Sequence, residues 1–336
     1  MPSVKKILKL LLFFYFLLTI AYAQEPRRLH EMGKNYMIDG DYANAESLLN
    51  SAFSADTNNL VYIKDLSLCY FFQKDYKRSE NILAPVVARN LADDQCYQLL
   101  GNVYKLQKNY EACSKIYTEA LKKYPENGAF YKEIGELFAL SQDAQCVGFW
   151  EKGIEKDPAY PGNYLNACKF YHAQNNRIWS VLYGEIYINL DPFSENTPEI
   201  KDILLEDYTY LLKSIATTDI PKDKNKFVQK LYTHLQQQSD LINTGIHTST
   251  LTMIRTRFIL DWYNDKPEKF PFFLFDHQRE LLRKGYFEAY NQWLFGSAEN
   301  LAGFQNWTQL HNTEYADFIQ YQRSSLFRFP KGNYHH

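Results

Sequence analysis

The sequence repeats a short motif at a fixed interval of 34 residues. Gly40-Asp41-Tyr42, Lys74-Asp75-Tyr76 and Lys108-Asn109-Tyr110 are successive copies of this motif. Two other series keep the same phase: Gly33, Ser67, Gly101 and Gly135, and Tyr36, Tyr70, Tyr104 and Phe138. A sustained period of this length predicts a stack of two-helix units, in which each unit packs on its neighbours.

Each series has a physical purpose in such a unit. The small residues of the Gly33 series predict a close approach of two helices at their crossing. An aromatic residue three positions later lies on the same helical face and fills the space beside that crossing. Asp41, Asp75, Asn109 and Asp143 predict N-caps, because a short side-chain oxygen accepts backbone N–H bonds. The tyrosine that follows then begins the second helix.

The combined pattern resembles the tetratricopeptide repeat family. The third copy fits this family best, with Leu100-Gly101, Tyr104, Cys113, Tyr117, Ala120 and Pro125 at the expected offsets. The resemblance covers residues 26–194 and implies an all-α, right-handed helical solenoid of about five helix-turn-helix repeats. Cys113, Cys146 and Cys168 stand where the family has Ala or Gly, which favours small buried side chains over a disulfide or redox role.

After residue 194 the period is lost, but apolar residues keep a helical spacing. We therefore predict a repeat domain over residues 24–194 and an all-helical domain of no recognised family over residues 195–336. Asp276 is a candidate N-cap in this second domain. The very apolar stretch of residues 269–278 is predicted to be a buried strand or helix entry; an exposed aromatic patch is the alternative.

The N-terminal residues 1–23 have the pattern of a cleaved secretory signal. Lys5, Lys6 and Lys9 precede an apolar run that ends in Ala21-Tyr22-Ala23. The run is shorter than the ~20 residues of a membrane span, although an uncleaved anchor is the alternative. We expect cleavage after Ala23 and an exported protein, periplasmic or extracellular, that is not embedded in a membrane once the signal is removed.

Composition and motifs exclude several classes of function. The formal net charge of −2 gives no basic excess for nucleic-acid binding. P-loop, G-x-S-x-G, H-E-x-x-H and Gly-rich dinucleotide motifs do not occur in the sequence. We therefore predict a protein without enzymatic activity, and with no catalytic residue, metal or cofactor. The expected partner is another protein or peptide.

The family resemblance implies that the first helix of each repeat lines a concave groove that holds a peptide or helix. The binding residues expected there are Lys34, Lys64, Phe71, Gln98, Asn102, Lys105, Lys132 and Lys169, accompanied by His30, Leu68, Glu136 and His172. Five lysines and one acid in this set predict a basic groove that favours an acidic peptide or a C-terminal carboxylate. Lys64 and Asn102 resemble the family's carboxylate-binding pair. An ordinary solvated surface is the alternative.

Two other functions are open at this stage. The first is an enzyme or metal protein that uses two His-x-x-Glu pairs, His277/Glu280 and His311/Glu314, since a spacing of three places both side chains on one helical face. The second is an envelope carbohydrate-binding module. It would use Trp262, Trp293, Trp307 and the aromatic residues of the 269–278 stretch, and it requires these side chains to be exposed.

Overall fold

A computed structural model describes residues 25–217, 223–265, 269–325 and 327–336 of the chain. These residues are α-helical with no β-strand among them, as predicted. The contacts divide the chain into two compact units, and the division falls between Pro125 and Glu126. The predicted signal segment of residues 1–23 lies outside the described residues.

The first unit contains three helix pairs. Its helices are α1 (25–38), α2 (Tyr42–Ala55), α3 (Leu60–Phe72), α4 (Tyr76–Ala88), α5 (Asp94–Leu106) and α6 (Tyr110–Lys123). Each of the helices α2 to α5 packs against the next one in the chain, and α3 also packs directly against α5. The first helices of the second and third pairs therefore lie side by side.

The second unit begins with two more helix pairs and continues without repeats. The pairs are α7 (Gly128–Leu140) with α8 (Cys146–Lys156), and α9 (Pro161–Ala173) with α10 (Arg177–Leu190). The helices that follow are α11 (Thr197–Thr217), α12 (Lys226–Gln236), α13 (Ser239–Ile242), α14 (Thr248–Asn264), α15 (Phe273–Lys284), α16 (Phe287–Asn291), α17 (Ser297–Glu299), α18 (Leu301–Leu310) and α19 (Asn312–Ser324). A π-helical turn, Gln292–Gly296, joins α16 to α17.

One turn geometry closes the first helix of every repeat. The residue at the turn has a positive φ, as in Gly40, Lys74 and Lys108. The next backbone N–H then donates to the carbonyl oxygen of the Tyr36 series, for example Asp75 to Tyr70 at 2.9 Å. This is the hydrogen bond of a Schellman motif, which satisfies carbonyl groups that the helix end leaves open.

The predicted N-caps are confirmed in the first three repeats and wrong in the fourth. Asp41, Asp75 and Asn109 each accept a hydrogen bond from the backbone N–H three residues later. In the fourth repeat α8 begins only at Cys146, so Asp143 lies in the turn and accepts from the N–H of Gln145 instead. Asp276 is also no N-cap. Because α15 begins at Phe273, this carboxylate lies in the first helical turn, where the helix dipole favours an acid.

The small residues of the Gly33 series make the close helix crossings possible, as predicted. A Cβ atom on Gly101 would lie 2.2 Å from the Tyr117 ring, and one on Gly135 would lie 2.3 Å from Nε1 of Trp150. In the second repeat the serine hydroxyls of Ser67 and Ser79 meet at 2.6 Å. All five cysteines are buried, and none of them forms a disulfide in the described part of the chain. Cys113, Cys146 and Cys168 are therefore small core side chains, as predicted.

The core of the second unit is continuous from its helix pairs to its end. Residues of α8 and α10 belong to the same hydrophobic cluster as residues of α11 to α16, α19 and the terminal Phe327 and Phe329. Nearly every residue of α10 from Ile178 to Asn189 is buried, so this helix needs cover on all sides. This core extends across residue 194, and the domain boundary there stays a prediction.

The crossing glycines give a direct test of this packing. Gly135→Ala should destabilise the protein by about 1–3 kcal/mol, because the Trp150 ring must move to admit the new methyl group. Gly148→Ala is the matched control on α8: its Cβ would meet open space, so the substitution should stabilise by about 0.5 kcal/mol. Urea unfolding measures both changes. Equal effects of the two substitutions would contradict the close-crossing explanation.

Candidate functional site

The first helices of the first unit carry the predicted binding residues as half-buried side chains. Lys64, Leu68 and Phe71 lie on α3, whereas Gln98, Asn102 and Lys105 lie on α5. Because α3 packs directly against α5, these positions belong to adjoining helices. Lys34 lies on α1 and pairs with Glu31 of the same helix at 3.4 Å.

Lys64 is the most strongly engaged of these residues. Its Nζ donates to Oδ2 of Asp93 at 2.6 Å and to Oε1 of Gln95 at 2.7 Å. Asp93 is also the N-cap of α5. Burial disfavours its charge, but the hydrogen bonds from Lys64 and from the Cys96 N–H outweigh this effect and hold the pKa of Asp93 below its usual value. Lys64 therefore ties the second repeat to the start of the third.

Asn102 is held in place by the second helix of its own repeat. Its Oδ1 accepts a hydrogen bond from the Tyr117 hydroxyl at 3.1 Å. That tyrosine is the ring that packs against Gly101. Gly101 therefore allows the close helix crossing and also lets the Tyr117 hydroxyl reach Asn102 and orient its side chain.

The second unit contains three of the predicted residues and brings two of them together, Lys132 and Glu136 on α7, whereas Lys169 lies on α9. Nζ of Lys132 lies 3.1 Å from Glu133 and 2.8 Å from Glu136. Burial lowers the pKa of a lysine, but these two carboxylates reverse the effect and raise the pKa of Lys132 above its usual value. Nζ of Lys169 lies 2.6 Å from Glu199 on α11.

The lysines of the predicted basic groove are therefore paired, not free. Lys34, Lys64, Lys132 and Lys169 each have a carboxylate within 3.4 Å, and Lys105 also has an interaction partner. The sequence-based interpretation missed Asp93, Glu133 and Glu199. The spacing of Lys132 and Glu133 was readable in the sequence. Asp93 and Glu199 belong to the following first helix of the stack and lie about thirty positions away.

His172 lies in the only group of three potential metal ligands within the described residues. Ligand atoms of His172, Glu206 and Asp207 lie within 4.8 Å of one another. The guanidinium of Arg177 already contacts the fully buried Asp207 and lies 3.9 Å from Glu206. Because Arg177 supplies the positive charge that these carboxylates need, a metal ion would have to displace it.

The two His-x-x-Glu pairs do not assemble a site with other ligands in the part of the chain that the structure covers. His277 lies in a mostly apolar surrounding beside Phe327 and Tyr290, and burial lowers its pKa to about 4. Its predicted partner Glu280 instead pairs with Arg283 and Lys284. His311 does lie 3.3 Å from Glu314, but its ring stacks on Trp307.

The aromatic residues proposed for a carbohydrate-binding module are core residues, which corrects that hypothesis. Trp262 is 1% exposed and Trp293 is 5% exposed. Phe272, Leu274 and Phe275 are buried where the chain enters α15, as the preferred interpretation of the 269–278 stretch predicted. Trp307 is half-buried. These side chains fill the second unit because its non-repeating helices need large groups to close the spaces between them.

A buried ionic network in the second unit joins α10 to four other helical segments. The Glu185 carboxylate is 0% exposed and accepts hydrogen bonds from Arg255, Gln278, Tyr208 and Tyr290. Arg255 also donates to Asn291, just before the π-helical turn. Each charge is therefore compensated inside the core, and the network holds the helices in register.

Comparison with known proteins identifies the repeats. Residues 36–103 match the family model for the tetratricopeptide repeat. These residues are tetratricopeptide repeats. This family typically supplies non-catalytic scaffolds for protein–protein interaction. A comparison with curated proteins gives no match. Among the described residues, none of the helices combines the length and the apolar character that a membrane span requires.

Several solved structures of tetratricopeptide repeat proteins are similar to this chain. A thermophilic protein of Thermus thermophilus is 11% identical with a TM-score of 0.43, over 55% of this chain and 98% of its own. PilF of Pseudomonas aeruginosa is 15% identical with a TM-score of 0.48, over 56% of this chain and 86% of its own. YrrB, described as having an unusual peptide-binding site, is 13% identical with a TM-score of 0.37, over 49% and 86%.

The buried network yields a stability prediction. Arg255→Met should cost about 3–5 kcal/mol, because it leaves the Glu185 carboxylate buried without its cation. Adding Glu185→Gln should restore part of this loss, since the double variant has no buried charge in this network. Chemical unfolding of the wild type, both single variants and the double variant measures the coupling. Purely additive losses would contradict the role of the ion pair.

Proposed function

We propose that this protein is an exported, non-catalytic scaffold that binds a segment of another protein on the inner face of its first unit. This inner face consists of α1, α3 and α5. The observation that carries the proposal is the row of half-buried polar groups on adjoining first helices, in a region whose repeats belong to a protein-binding family. Such groups hydrogen-bond the backbone and ends of a peptide, while Leu68 and Phe71 offer apolar contact.

The pairing of Lys64 defines how an acidic ligand would bind. Lys64 is only partly exposed, at 19% of its side chain, and Asp93 occupies its amine. A ligand carboxylate must therefore replace Asp93 as the partner of Lys64. The Asn102 amide on the next first helix is the second contact in this proposal. Binding by exchange of carboxylates favours a ligand with a well-placed acidic group, such as a C-terminal carboxylate, over one that is merely negative overall.

Competition between Asp93 and a ligand carboxylate is directly testable. The probes are random hexapeptides with free C-terminal carboxylates and the same peptides with amidated C-termini, measured by fluorescence anisotropy. Peptides selected by the wild type should bind at least tenfold more weakly to Lys64→Ala, a difference of about 1.4 kcal/mol. Asp93→Asn should bind them more tightly, because Lys64 is then released from its internal partner.

Lys77→Ala is the matched control. This lysine lies on the second helix α4, is 72% exposed and pairs with Glu80, so its loss should leave binding unchanged. Equal binding of carboxylate and amide peptides would contradict the carboxylate contact. If the selected peptides bind Lys64→Ala and Asn102→Ala with the same affinity as the wild type, the binding surface lies elsewhere. That result would overturn the proposal for this face.

Export has its own test. The N-terminal residues 1–23 have the composition of a cleaved signal, and we propose cleavage after Ala23. Intact-mass measurement of the protein recovered from the envelope fraction of a bacterial host should give a chain that begins at Gln24. Replacing Ala21 and Ala23 by Arg should block cleavage and retain the precursor. A protein found in the cytoplasm with an intact N-terminus would contradict export.

A further inference from the structure

The second unit contains an open cleft of about 650 Å³, which lies outside the inner-face positions discussed above. It lies between the turn before α10, the second half of α11 and the region around α12. Its lining includes Gln174, Asn176, Arg177, Tyr210 and Tyr232. This volume is within the range of about 300–1,000 Å³ that is usual for ligand sites.

Asn176 departs from the repeat pattern at this cleft. Its backbone has φ −85° and ψ 77°, nearly the same values as the capping residues Asp41, Asp75 and Asn109. Those three side chains cap their second helices, but the Asn176 side chain makes no capping hydrogen bond with α10. The absence of a capping hydrogen bond lowers the stability of a folded protein by about 1 kcal/mol. The Asn176 carboxamide makes no hydrogen bond with the described part of the chain, and it lies beside the cleft.

Two further groups in the lining are accessible. Gln174 is exposed and its carboxamide makes no hydrogen bond with the described parts of the chain. Tyr210 is 57% exposed, although it is a large aromatic residue. Arg177 lies over its ring, 5.2 Å from the centroid. The cleft therefore offers two amides, each able to donate and accept, next to an accessible aromatic ring.

The described residues that line the cleft carry no positive charge that is free to bind an anionic ligand. Arg177 is the cation of the lining, and its guanidinium is already engaged by Asp207 and by the Asn175 side chain. Asp223 adds a negative charge to the rim. A phosphate or carboxylate would therefore find no uncompensated positive charge among these residues.

The apolar part of the lining is not accessible to a hydrophobic anchor. Ile178, Leu211 and Ile215 are only 3%, 4% and 2% exposed, so they belong to the core and not to a pocket. A protein segment that binds through an apolar side chain lacks a place to insert it. What a ligand can reach is a set of planar polar groups and a tyrosine ring.

We propose that this cleft binds a neutral oligosaccharide. Adjacent sugar hydroxyls both donate and accept hydrogen bonds, which matches the paired capacity of the Gln174 and Asn176 carboxamides. The C–H face of a sugar ring packs against an aromatic face such as that of Tyr210. This site uses none of the buried tryptophans of the second unit, and it is independent of peptide binding by the first unit.

Isothermal titration calorimetry on the full chain, purified as the host produces it, tests this assignment. The probes are maltohexaose, cellohexaose, xylohexaose and mannohexaose. At least one should bind the wild type with a Kd between about 10 μM and 1 mM. Tyr210→Ala and Asn176→Ala should each weaken that binding at least tenfold. Asn176→Ala should leave the melting temperature unchanged, because this side chain caps nothing.

Two control variants lie in the first unit. Tyr110→Ala removes another exposed tyrosine and should leave sugar binding unchanged. Asn109→Ala removes the side chain that caps α6, so this variant should lose about 1 kcal/mol of stability but should also keep sugar binding. The proposal is overturned if none of the four hexasaccharides binds, or if binding persists in Tyr210→Ala. If instead peptides bind the wild type and Lys64→Ala but not Tyr210→Ala, the cleft is a peptide site. That result would also overturn the oligosaccharide proposal.

Discussion

The close crossing of the two helices within each repeat is the constraint on which the repeat structure depends. At Gly101 and Gly135 the absence of a Cβ atom lets an aromatic ring of the second helix lie against the backbone of the first. The ring fills the space that the missing side chain leaves, and in the third repeat its hydroxyl goes on to orient Asn102. Packing and surface chemistry are therefore set by the same pair of residues. A larger residue at the glycine would disturb both.

The second unit is built differently after α10, because its later helices do not repeat and cannot use one fixed crossing. It closes its core with large aromatic residues and with one compensated ion pair, Glu185 and Arg255. A buried carboxylate that accepts four hydrogen bonds permits few alternative arrangements of the surrounding helices, since each alternative leaves a polar group unpaired. The same unit contains the cleft beside Asn176, which lacks the side-chain capping hydrogen bond found in the first three repeats. A local loss of stability at an accessible polar surface is typical of sites that bind ligands.

The internal pairing of the lysines changes how the inner face of the first unit is understood. A row of free lysines would attract any acidic chain at long range, with strong dependence on salt. At the peptide site that we propose, a lysine that already holds Asp93 instead discriminates by exchange, because a ligand carboxylate must bind Lys64 as well as Asp93 does in order to replace it. Selectivity then depends on geometry more than on net charge. Lys132 and Lys169 in the second unit also have carboxylate partners, which lie on the same helix for Lys132 and on α11 for Lys169.

The sequence by itself determined the repeat length, the helix pairs, the small-residue crossings and the buried cysteines, because these depend on contacts between residues at a fixed spacing. It also assigned the predicted binding residues to the first helices of the repeats, since a helical period specifies which positions share a face. Only the tertiary structure decided that Lys64 is held by Asp93, that Trp262 and Trp293 are core residues, and that Asn176 leaves its helix uncapped. These features depend on which distant side chains meet and on the rotamers they adopt, and no periodicity records either of these.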